Sequence, residues 1–492
     1  MKRGIFCLSV LLLSSVWLCL ANQSGEEPGI KLRVHSRGLD FVRQLVLQYL
    51  DSFLNSYMVP NLSGFGTVNY EIQNIEIESF DIGETSFKTF PPNIFRPVIN
   101  GASTSLRAKW KVWKKVLFVT LRLSGELKAG ASGLNIGQSI ELGRNDMGKP
   151  TFKAVDCSTF VKSLKFDVKY TGLDWLINLG LSLFETSIKD KLQSAVCGQI
   201  KKVLDEGGEG LTDAFKVNLP LISQSSINVG LVCDPEATSM GVMFSLRGRC
   251  FPNSSPDTKV PIKVSSVTTL DETAEMIRFS VNEYVLNTLL YSLWFNDILT
   301  WNVSSSQVRD AVGFEVTSDT LAPLDPTFEQ YAGRPIEFKI EAPNAPSALF
   351  GARGLILSGD IVVVIYVVQE DGSRTRAESL DLSFNATGMV MINQNSLKGN
   401  ISDLRINADA FQGTIAELFN EVIGQVIPTN LLPAVNGILN SGYMFPESFG
   451  FTVENPTLAY KQGALEVGAD IRQVTQGGFP TLDTATIPDV PK

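Results

Sequence analysis

The sequence predicts an α+β protein made of two similar halves, each an antiparallel barrel of strands with two long helices. Long stretches alternate apolar and polar residues, as in "NYEIQNIEIESF" and "GLILSGDIVVVIYVV", and this period of two indicates strands with one buried face. Helical patterns include Leu39 and Leu173 in the first half and Val281 and Ile415 in the second, and the members of each pair are 134 positions apart in sequence. The equal spacing indicates an internal duplication.

The first half opens with a short strand-like segment, "PGIKLRV", and a helical pattern at 38–60 that Pro60 ends. Alternating strand patterns follow from about 66 to 170, broken by Gly, Asn and Pro turns. A second helix is predicted over 172–204. Two helices per half are about the size needed to cover the apolar face of such a sheet.

The second half repeats this plan, with helices predicted at 281–295 and 414–439 around a region of alternating strands. Residues 251–261 contain prolines and resemble a linker, so the sequence divides into domains at 22–250 and 262–492. Several helices carry apolar residues on more than one face. Either each half has a large core, or each unit keeps an apolar cavity for a guest molecule.

The first 21 residues have the pattern of a secretory signal peptide. Lys2 and Arg3 precede an apolar run from Ile5 to Leu20, and cleavage is predicted after Ala21. A membrane anchor is the alternative, but the run is short for a spanning helix. No later stretch is long and apolar enough to span a bilayer, so we expect a soluble, extracellular protein.

The cysteines and sequons agree with secretion. Cys7 and Cys19 would leave with the signal peptide, and the four that remain are Cys157, Cys197, Cys233 and Cys250. An oxidising compartment would pair them, and sequence alone leaves three pairings open. The N-x-S/T sequons mark five candidate glycosylation sites: Asn61, Asn253, Asn302, Asn385 and Asn400.

Charge is distributed unevenly along a chain whose formal net charge is -9. Residues 26–250 carry a net charge of +3, and residues 251–492 carry -14. The densest cationic segment is "KWKVWKK" at 109–115, with four lysines and two tryptophans. A local positive segment can act within an acidic protein because physiological salt limits electrostatic reach to about 8 Å.

The basic segment reads as a strand that approaches a turn. Alternation would bury Trp110 and Val112 and expose Lys109 and Lys111, while Trp113, Lys114 and Lys115 would fall near the turn. One interpretation is a solvated strand face with a core tryptophan. The other is a site for anionic surfaces, since lysines are attracted to charged membranes and tryptophan prefers the membrane interface.

Six segments along the chain have the pattern of one known family. They are "EPGIKLRVHSRGLDFV", "AKWKVWKKVLFV", "GKPTFKAVDC", "LQSAVC", "IPTNLLPAVNGILNSGYMFP" and "ALEVGADI". In that order they resemble the opening, the basic hairpin, the two cysteine neighbourhoods, the last helix and the last strand of the group formed by bactericidal/permeability-increasing protein, lipopolysaccharide-binding protein and lipid-transfer proteins. The similarity runs over nearly the whole mature chain in the same order.

The resemblance implies a boomerang of two barrels joined by a central antiparallel sheet, with an apolar pocket for phospholipid acyl chains in each barrel. It also implies a Cys157–Cys197 disulfide, and parity then suggests a Cys233–Cys250 pair. Bound phospholipid is expected as a ligand, without a further cofactor or metal. Helical facing alone suggests Val42, Val46 and Leu176 as pocket residues.

The function implied by the resemblance is secreted innate-immune binding of lipopolysaccharide from the Gram-negative outer membrane. The proposed lipid A contacts are Lys109, Lys111, Trp113, Lys114 and Lys115. Bacterial killing is a weaker expectation, because the loop at 60–70 lacks lysine and the first half carries only +3. We expect a monomer without a nucleic-acid partner.

Two other functions use the same fold, and fold does not decide among them. The alternative is a lipid-transfer protein that moves phospholipid or neutral lipid between particles, and a third possibility is a carrier of small apolar ligands. An enzyme is not expected, because the sequence lacks a G-x-S-x-G elbow, a phosphate-cradling loop and a Cys/His metal spacing. A histidine-dependent triad would have to use His35, the single histidine.

Overall fold

The protein is described by a computed structural model that forms two compact units. The N-terminal unit comprises Val34–Lys216 and Cys233–Phe244, and the C-terminal unit comprises Met1–Arg33, Val217–Val232 and Ser245–Lys492. The structure describes residues 26–54, 61–65, 68–168, 189, 196–198, 200–202, 204–221, 224–265, 270, 274–323, 325–393, 396–407, 414–441, 443–444 and 451–473.

The predicted linker does not coincide with the division between the two units. Residues 251–261 lie within the C-terminal unit. Within the region 217–250, residues 233–244 belong to the N-terminal unit and the rest belongs to the C-terminal unit. One boundary in the sequence therefore does not separate the two units. The predicted signal peptide, Pro60 and Leu176 lie outside the described residues.

Within the described residues, the first part of the chain contains one fully bounded helix and seven strands. Helix α1 is Ser36–Leu54. The strands are β1 (Ile30–His35), β2 (Leu62–Gly64), β3 (Asn69–Asp81), β4 (Glu84–Phe90), β5 (Ile94–Val116), β6 (Val119–Arg144) and β7 (Pro150–Val168). Residues 196–198, 200–202 and 204–214 are also helical, so the described helical residues extend beyond residue 204, where the second helix was predicted to end.

The sheet of the N-terminal unit is antiparallel, in the order β2-β3-β5-β6-β7, with β4 pairing to β5. Its core contains Tyr70, Ile72, Trp110 and Val112 from β3 and β5, together with residues of β6 and β7. Register shifts interrupt the pairing of β5 with β6 near residue 102. Such bulges bend and twist strands, which suits a sheet that curls around its core.

Between residues 218 and 282, the residues that the structure describes include six short strands: β8 (Asn218–Pro220), β9 (Ser225–Asn228), β10 (Glu236–Thr238), β11 (Gly241–Leu246), β12 (Arg249–Pro252) and β13 (Ile277–Asn282). Within the C-terminal unit, β8, β9 and β12 form a small antiparallel sheet. Val285 and Leu289 of the following helix pack against Ile227 and Cys250 of this sheet.

The described part of the C-terminal unit contains four α-helices and a 3-10 helix: α2 (Glu283–Phe295), α3 (Ser305–Val312), α4 (Ser318–Leu321), the 3-10 helix Pro326–Tyr331, and α5 (Thr414–Ser441). Its later strands are β14 (Thr300–Val303), β15 (Ile336–Glu341), β16 (Ser347–Gly351), β17 (Gly354–Val368), β18 (Arg374–Asn393), β19 (Ser396–Asn407), β20 (Tyr443–Met444), β21 (Phe451–Lys461) and β22 (Ala464–Gln473). The larger sheet runs β14-β15-β17-β18-β19-β20, with β16 pairing to β17.

The core of that sheet is closed by α5, which begins where the duplication predicts a helix, and by the short helix α3, which the sequence does not predict. Val426 and Ile427 of α5 and Val308 of α3 are buried against Phe338 and Val363 of the strands. The α+β class and the repeated plan of helix, curled antiparallel sheet and helix are therefore confirmed. Among the described helices, none is long and apolar enough to cross a membrane.

Candidate functional site

The basic segment lies at the end of the longest hairpin of the N-terminal unit. Strands β5 and β6 pair up to Val116 and Val119, so Leu117 and Phe118 form the turn. We call residues 114–122, "KKVLFVTLR", the hairpin tip. Lys115 lies opposite Thr120, Lys114 opposite Leu121, and Trp113 opposite Arg122.

The strand alternation predicted for the basic segment is confirmed. Trp110 and Val112 are buried in the core, whereas Lys109 and Lys111 are exposed. The Trp110 indole N–H donates to the Glu126 carbonyl oxygen at 3.1 Å, which satisfies its polar atom inside the core. Trp110 is thus a structural residue, and the hairpin tip rests on a well-packed base.

The four lysines do not share one face of the hairpin. Successive side chains on a strand point to opposite faces, so Lys109, Lys111, Trp113 and Lys115 lie on one side. Cross-strand partners share a face, which adds Arg122 to that side because it lies opposite Trp113. Lys114 belongs to the other face, in line with Val112.

Carboxylates accompany the lysines near the base of the segment. The Lys111 ammonium lies 3.9 Å from the Glu71 carboxylate, and Glu126 is the cross-strand partner of Lys109. Farther from the turn, Arg107 donates to Glu78 at 2.7 Å. Within the described residues, Lys109, Lys115 and Arg122 form no ion pair. The positive charge that is least compensated therefore lies near the turn.

The hairpin tip also carries apolar surface that the sequence analysis missed. Leu117 is 84% exposed, Phe118 98% and Val119 61%. Phe65, 81% exposed, makes an edge-to-face contact with Trp113, with ring centroids 6.4 Å apart. The signal was present in "VLFV", since four consecutive exposed apolar residues are unfavourable in a soluble protein unless they serve a function.

The Cys157–Cys197 disulfide implied by the resemblance is confirmed, with the two Cα atoms 5.8 Å apart. Cys157 lies on β7 and Cys197 in the helical segment 196–198, so the bond ties a strand of the sheet to that helix. Both residues belong to the N-terminal unit.

The Cys233–Cys250 disulfide predicted by parity is wrong, since both residues are buried thiols. Ile227 is the strand partner of Cys250, and Cys233 follows six residues later, beyond the bridge between Leu231 and Leu246. A disulfide needs Cα atoms within about 7 Å, which this register does not provide. Burial raises the pKa of the Cys250 thiol to about 12.

The sequon asparagines differ in accessibility. Asn61, Asn253, Asn302 and Asn385 are exposed, whereas Asn400 on β19 is half-buried. The Asn61 side-chain oxygen accepts from the backbone N–H of Asn74 at 3.2 Å. Use of these sites stays a prediction.

The pocket residues stay predictions too. Val42 on α1 is 41% exposed. The Val46 side chain and Leu176 lie outside the described part of the chain. A small cavity of about 300 Å³ lies between the first turn of α1 and β4, lined in part by Leu39, Asp40, Phe87 and Phe90.

His35 lies at the end of β1 and is buried, with 4% of its surface exposed. Among the described residues, no group of three or more His, Cys, Asp or Glu side chains could hold a metal ion. That the protein is not an enzyme stays a prediction.

Comparison with known sequences assigns the chain to a family. A profile described as "LBP / BPI / CETP family, N-terminal domain" matches residues 38–206, and the C-terminal domain profile of the same family matches residues 221–473. The chain belongs to the LBP / BPI / CETP family. The two matches cover most of the N-terminal unit and most of the C-terminal unit described above.

Individual members of the LBP / BPI / CETP family are distant in sequence but similar along their whole length. The chain is 24% identical to the bactericidal permeability-increasing protein of Rattus norvegicus, covering 94% of this chain and 97% of the relative. It is 21% identical to the lipopolysaccharide-binding protein of Homo sapiens, with coverages of 89% and 92%. A crystal structure of lipopolysaccharide binding protein matches 91% of this chain and 99% of that chain, with a TM-score of 0.59 and 20% identity, and supports the family fold.

Proposed function

We propose that this protein is a secreted lipid-binding protein of innate immunity that recognises lipopolysaccharide through the hairpin tip. In this proposal, Lys114 and Lys115 contact lipid A phosphates, Lys109 and Lys111 add a weaker attraction from farther along β5, and Trp113 lies at the lipid interface. Apolar pockets in the two units would hold acyl chains. The names of its relatives, one bactericidal and one lipopolysaccharide-binding, support the proposed ligand class.

The single observation that carries the proposal is the composition of the hairpin tip. Its nine residues include Lys114, Lys115 and Arg122 and contain no Asp or Glu, although the whole chain has a formal net charge of -9. Each such cation contributes about 1 kcal/mol near an anionic lipid surface. Because this attraction is screened within about 8 Å, the acidic remainder of the chain does not cancel it.

The proposed partners follow from the same surface. They are lipopolysaccharide, phospholipid and the outer membrane of Gram-negative bacteria, and the protein acts outside the cell as a monomer. Killing would require the bound protein to disrupt the membrane. The loop at 60–70 contains no lysine, so it adds no positive charge that would support membrane disruption.

The test compares binding with transfer. Mature protein is titrated with lipopolysaccharide aggregates, with lipid A and with phosphatidylcholine vesicles from 50 to 500 mM salt (about a tenfold range, chosen to vary screening). We expect saturable binding to lipopolysaccharide and lipid A that weakens with salt, and weak binding to phosphatidylcholine. Equal binding to all three lipids, with rapid movement of fluorescent phospholipid between vesicles, would favour the lipid-transfer alternative instead.

A further inference from the structure

The end of the hairpin tip is an apolar point surrounded by cations. Leu117 and Phe118 form the turn and are almost fully exposed, and Val116 and Val119 adjoin them on the two strands. Lys114, Lys115 and Arg122 follow directly behind. Exposed apolar residues that form a continuous patch commonly mark a surface for a partner or a membrane.

The two residues at the turn are not those that backbone preference in a hairpin would favour. Two-residue hairpin turns favour Asn-Gly or similar pairs, because these residues adopt positive φ easily. Leu117 has a φ of 54°, a left-handed conformation that is uncommon for a residue of its size. Neither backbone preference nor core packing explains leucine and phenylalanine here, so their apolar surface itself calls for an explanation.

The spacing of the charges fits the layers of a lipid surface. Lys115 lies two residues before Leu117 and Lys114 lies three, which corresponds to about 7–10 Å of extended strand. The headgroup layer on each side of a bilayer is about 5–8 Å thick. When the cations are level with the phosphates, Phe118 therefore reaches the hydrocarbon. Trp113, in contact with Phe65, would then lie in the interface where tryptophan is favoured.

We propose that Leu117 and Phe118 insert into the acyl layer of an anionic lipid surface, with Lys114, Lys115 and Arg122 held at its phosphates. This inference rests on the proposed function and adds to it a tip-first docking orientation and an apolar anchor. Electrostatic attraction would bring the protein to the surface, and insertion would hold it there as salt screening weakens the attraction.

A second copy of the chain is a less suitable occupant of the same apolar point. Two hairpin tips that met would bring together two sets of three cations without an intervening carboxylate from either tip. Like charges in contact oppose association. The charges of the hairpin tip instead complement an anionic lipid.

The experiment uses a variant that should fold at least as well as the wild type. Leu117→Asn with Phe118→Gly supplies the favoured turn residues and removes the apolar point while leaving all cations in place. A control, Met147→Asn with Phe160→Ser, removes two other exposed apolar side chains from β7 and from the turn that joins it to β6. The full-length mature protein is used throughout, and thermal unfolding checks each variant.

Two measurements separate adsorption from insertion. Co-sedimentation with vesicles of phosphatidylglycerol and phosphatidylcholine measures binding, and the surface pressure of lipid A monolayers measures insertion. We expect the turn variant to bind vesicles about 100-fold more weakly at physiological salt, as the loss of two buried apolar side chains implies. It should raise the monolayer pressure little, and the control should behave as the wild type.

The possible results distinguish the two proposals. Wild-type protein that binds anionic vesicles but leaves the monolayer pressure unchanged would overturn insertion and leave the proposed function standing. Insertion would also be overturned, with the proposed function left standing, if the turn variant raises the monolayer pressure as the wild type does. A wild type that sediments as a dimer, with the turn variant as a monomer, would have the same consequence. Wild-type protein without affinity for either lipid preparation would overturn the proposed function, and insertion with it.

Discussion

Cations near the turn should contribute more to lipid binding than cations farther from it. The perturbation is the double variant Lys115→Ala with Arg122→Ala. It is compared with a second double variant, Lys109→Ala with Lys111→Ala, which removes the same amount of charge from the same face of the hairpin. Six residues separate Lys109 from Lys115, about 20 Å of strand, which is more than two screening lengths at physiological salt. Lys109 and Lys111 also have Glu126 and Glu71 close by.

The magnitude follows from the energy of each charge near an anionic surface. At about 1 kcal/mol per cation, the Lys115 and Arg122 variant should lose about 2 kcal/mol, or about 30-fold in affinity for lipid A. The Lys109 and Lys111 variant should lose about threefold or less, because screening and the two glutamates reduce its contribution. Both losses should shrink as salt is raised.

The assay is a lipid A titration followed by fluorescence anisotropy from 50 to 500 mM salt, a range of about tenfold that varies the screening length. Lys162→Ala with Lys165→Ala serves as a remote control, since both side chains are exposed on β7 of the same sheet. Lys165 pairs with Gly130 of β6, and Gly130 pairs with Ser105 of β5. Ser105 is separated from Lys115 by about 33 Å of strand, so Lys165 is about as far from the turn. Equal losses for the two basic-segment variants would refute tip-first docking, and an equal loss for the remote control would refute a localised site altogether.

Two further predictions concern the cysteines and the glycans. Because burial raises the pKa of the Cys250 thiol from 9.0 to about 12, the folded protein keeps a proton that the unfolded chain loses as the pH rises above 9. The free energy of unfolding should therefore fall between pH 9 and 12 more steeply for the wild type than for Cys250→Ala, as measured by urea titration, and parallel curves would contradict the assigned burial. Mass spectrometry of the secreted protein should find glycan more often on exposed Asn385 than on half-buried Asn400, and the opposite order would contradict their relative accessibility.

Much of the fold could be predicted from the sequence, because a one-sided core imposes a regular pattern. The alternation through Trp110 and Val112 indicated the buried face of β5, and the helix predicted at 281–295 corresponds to Glu283–Phe295. The short helices α3 and α4 were not predicted. Their formation depends on local caps such as the Ser304–Gln307 capping box, within a segment too short to show a helical period.

The candidate site could be predicted only in part. The lysines of 109–115 were evident from charge, but their distribution over two faces depends on the position of the turn. The sequence predicts a turn near Trp113, Lys114 and Lys115, but "VLFV" contains no Gly, Asn or Pro that would locate it at Leu117 and Phe118. The mistaken Cys233–Cys250 pair has a similar origin, because an even number of cysteines carries no information about strand register.

The most direct test of lipid A recognition by the hairpin tip is amide hydrogen exchange of the mature protein with and without lipid A. We expect lipid A to slow exchange in peptides that cover residues 113–122, with smaller changes in peptides of β7 and of the C-terminal unit. Protection confined to other parts of the chain, with unchanged exchange over 113–122, would contradict recognition through the hairpin tip.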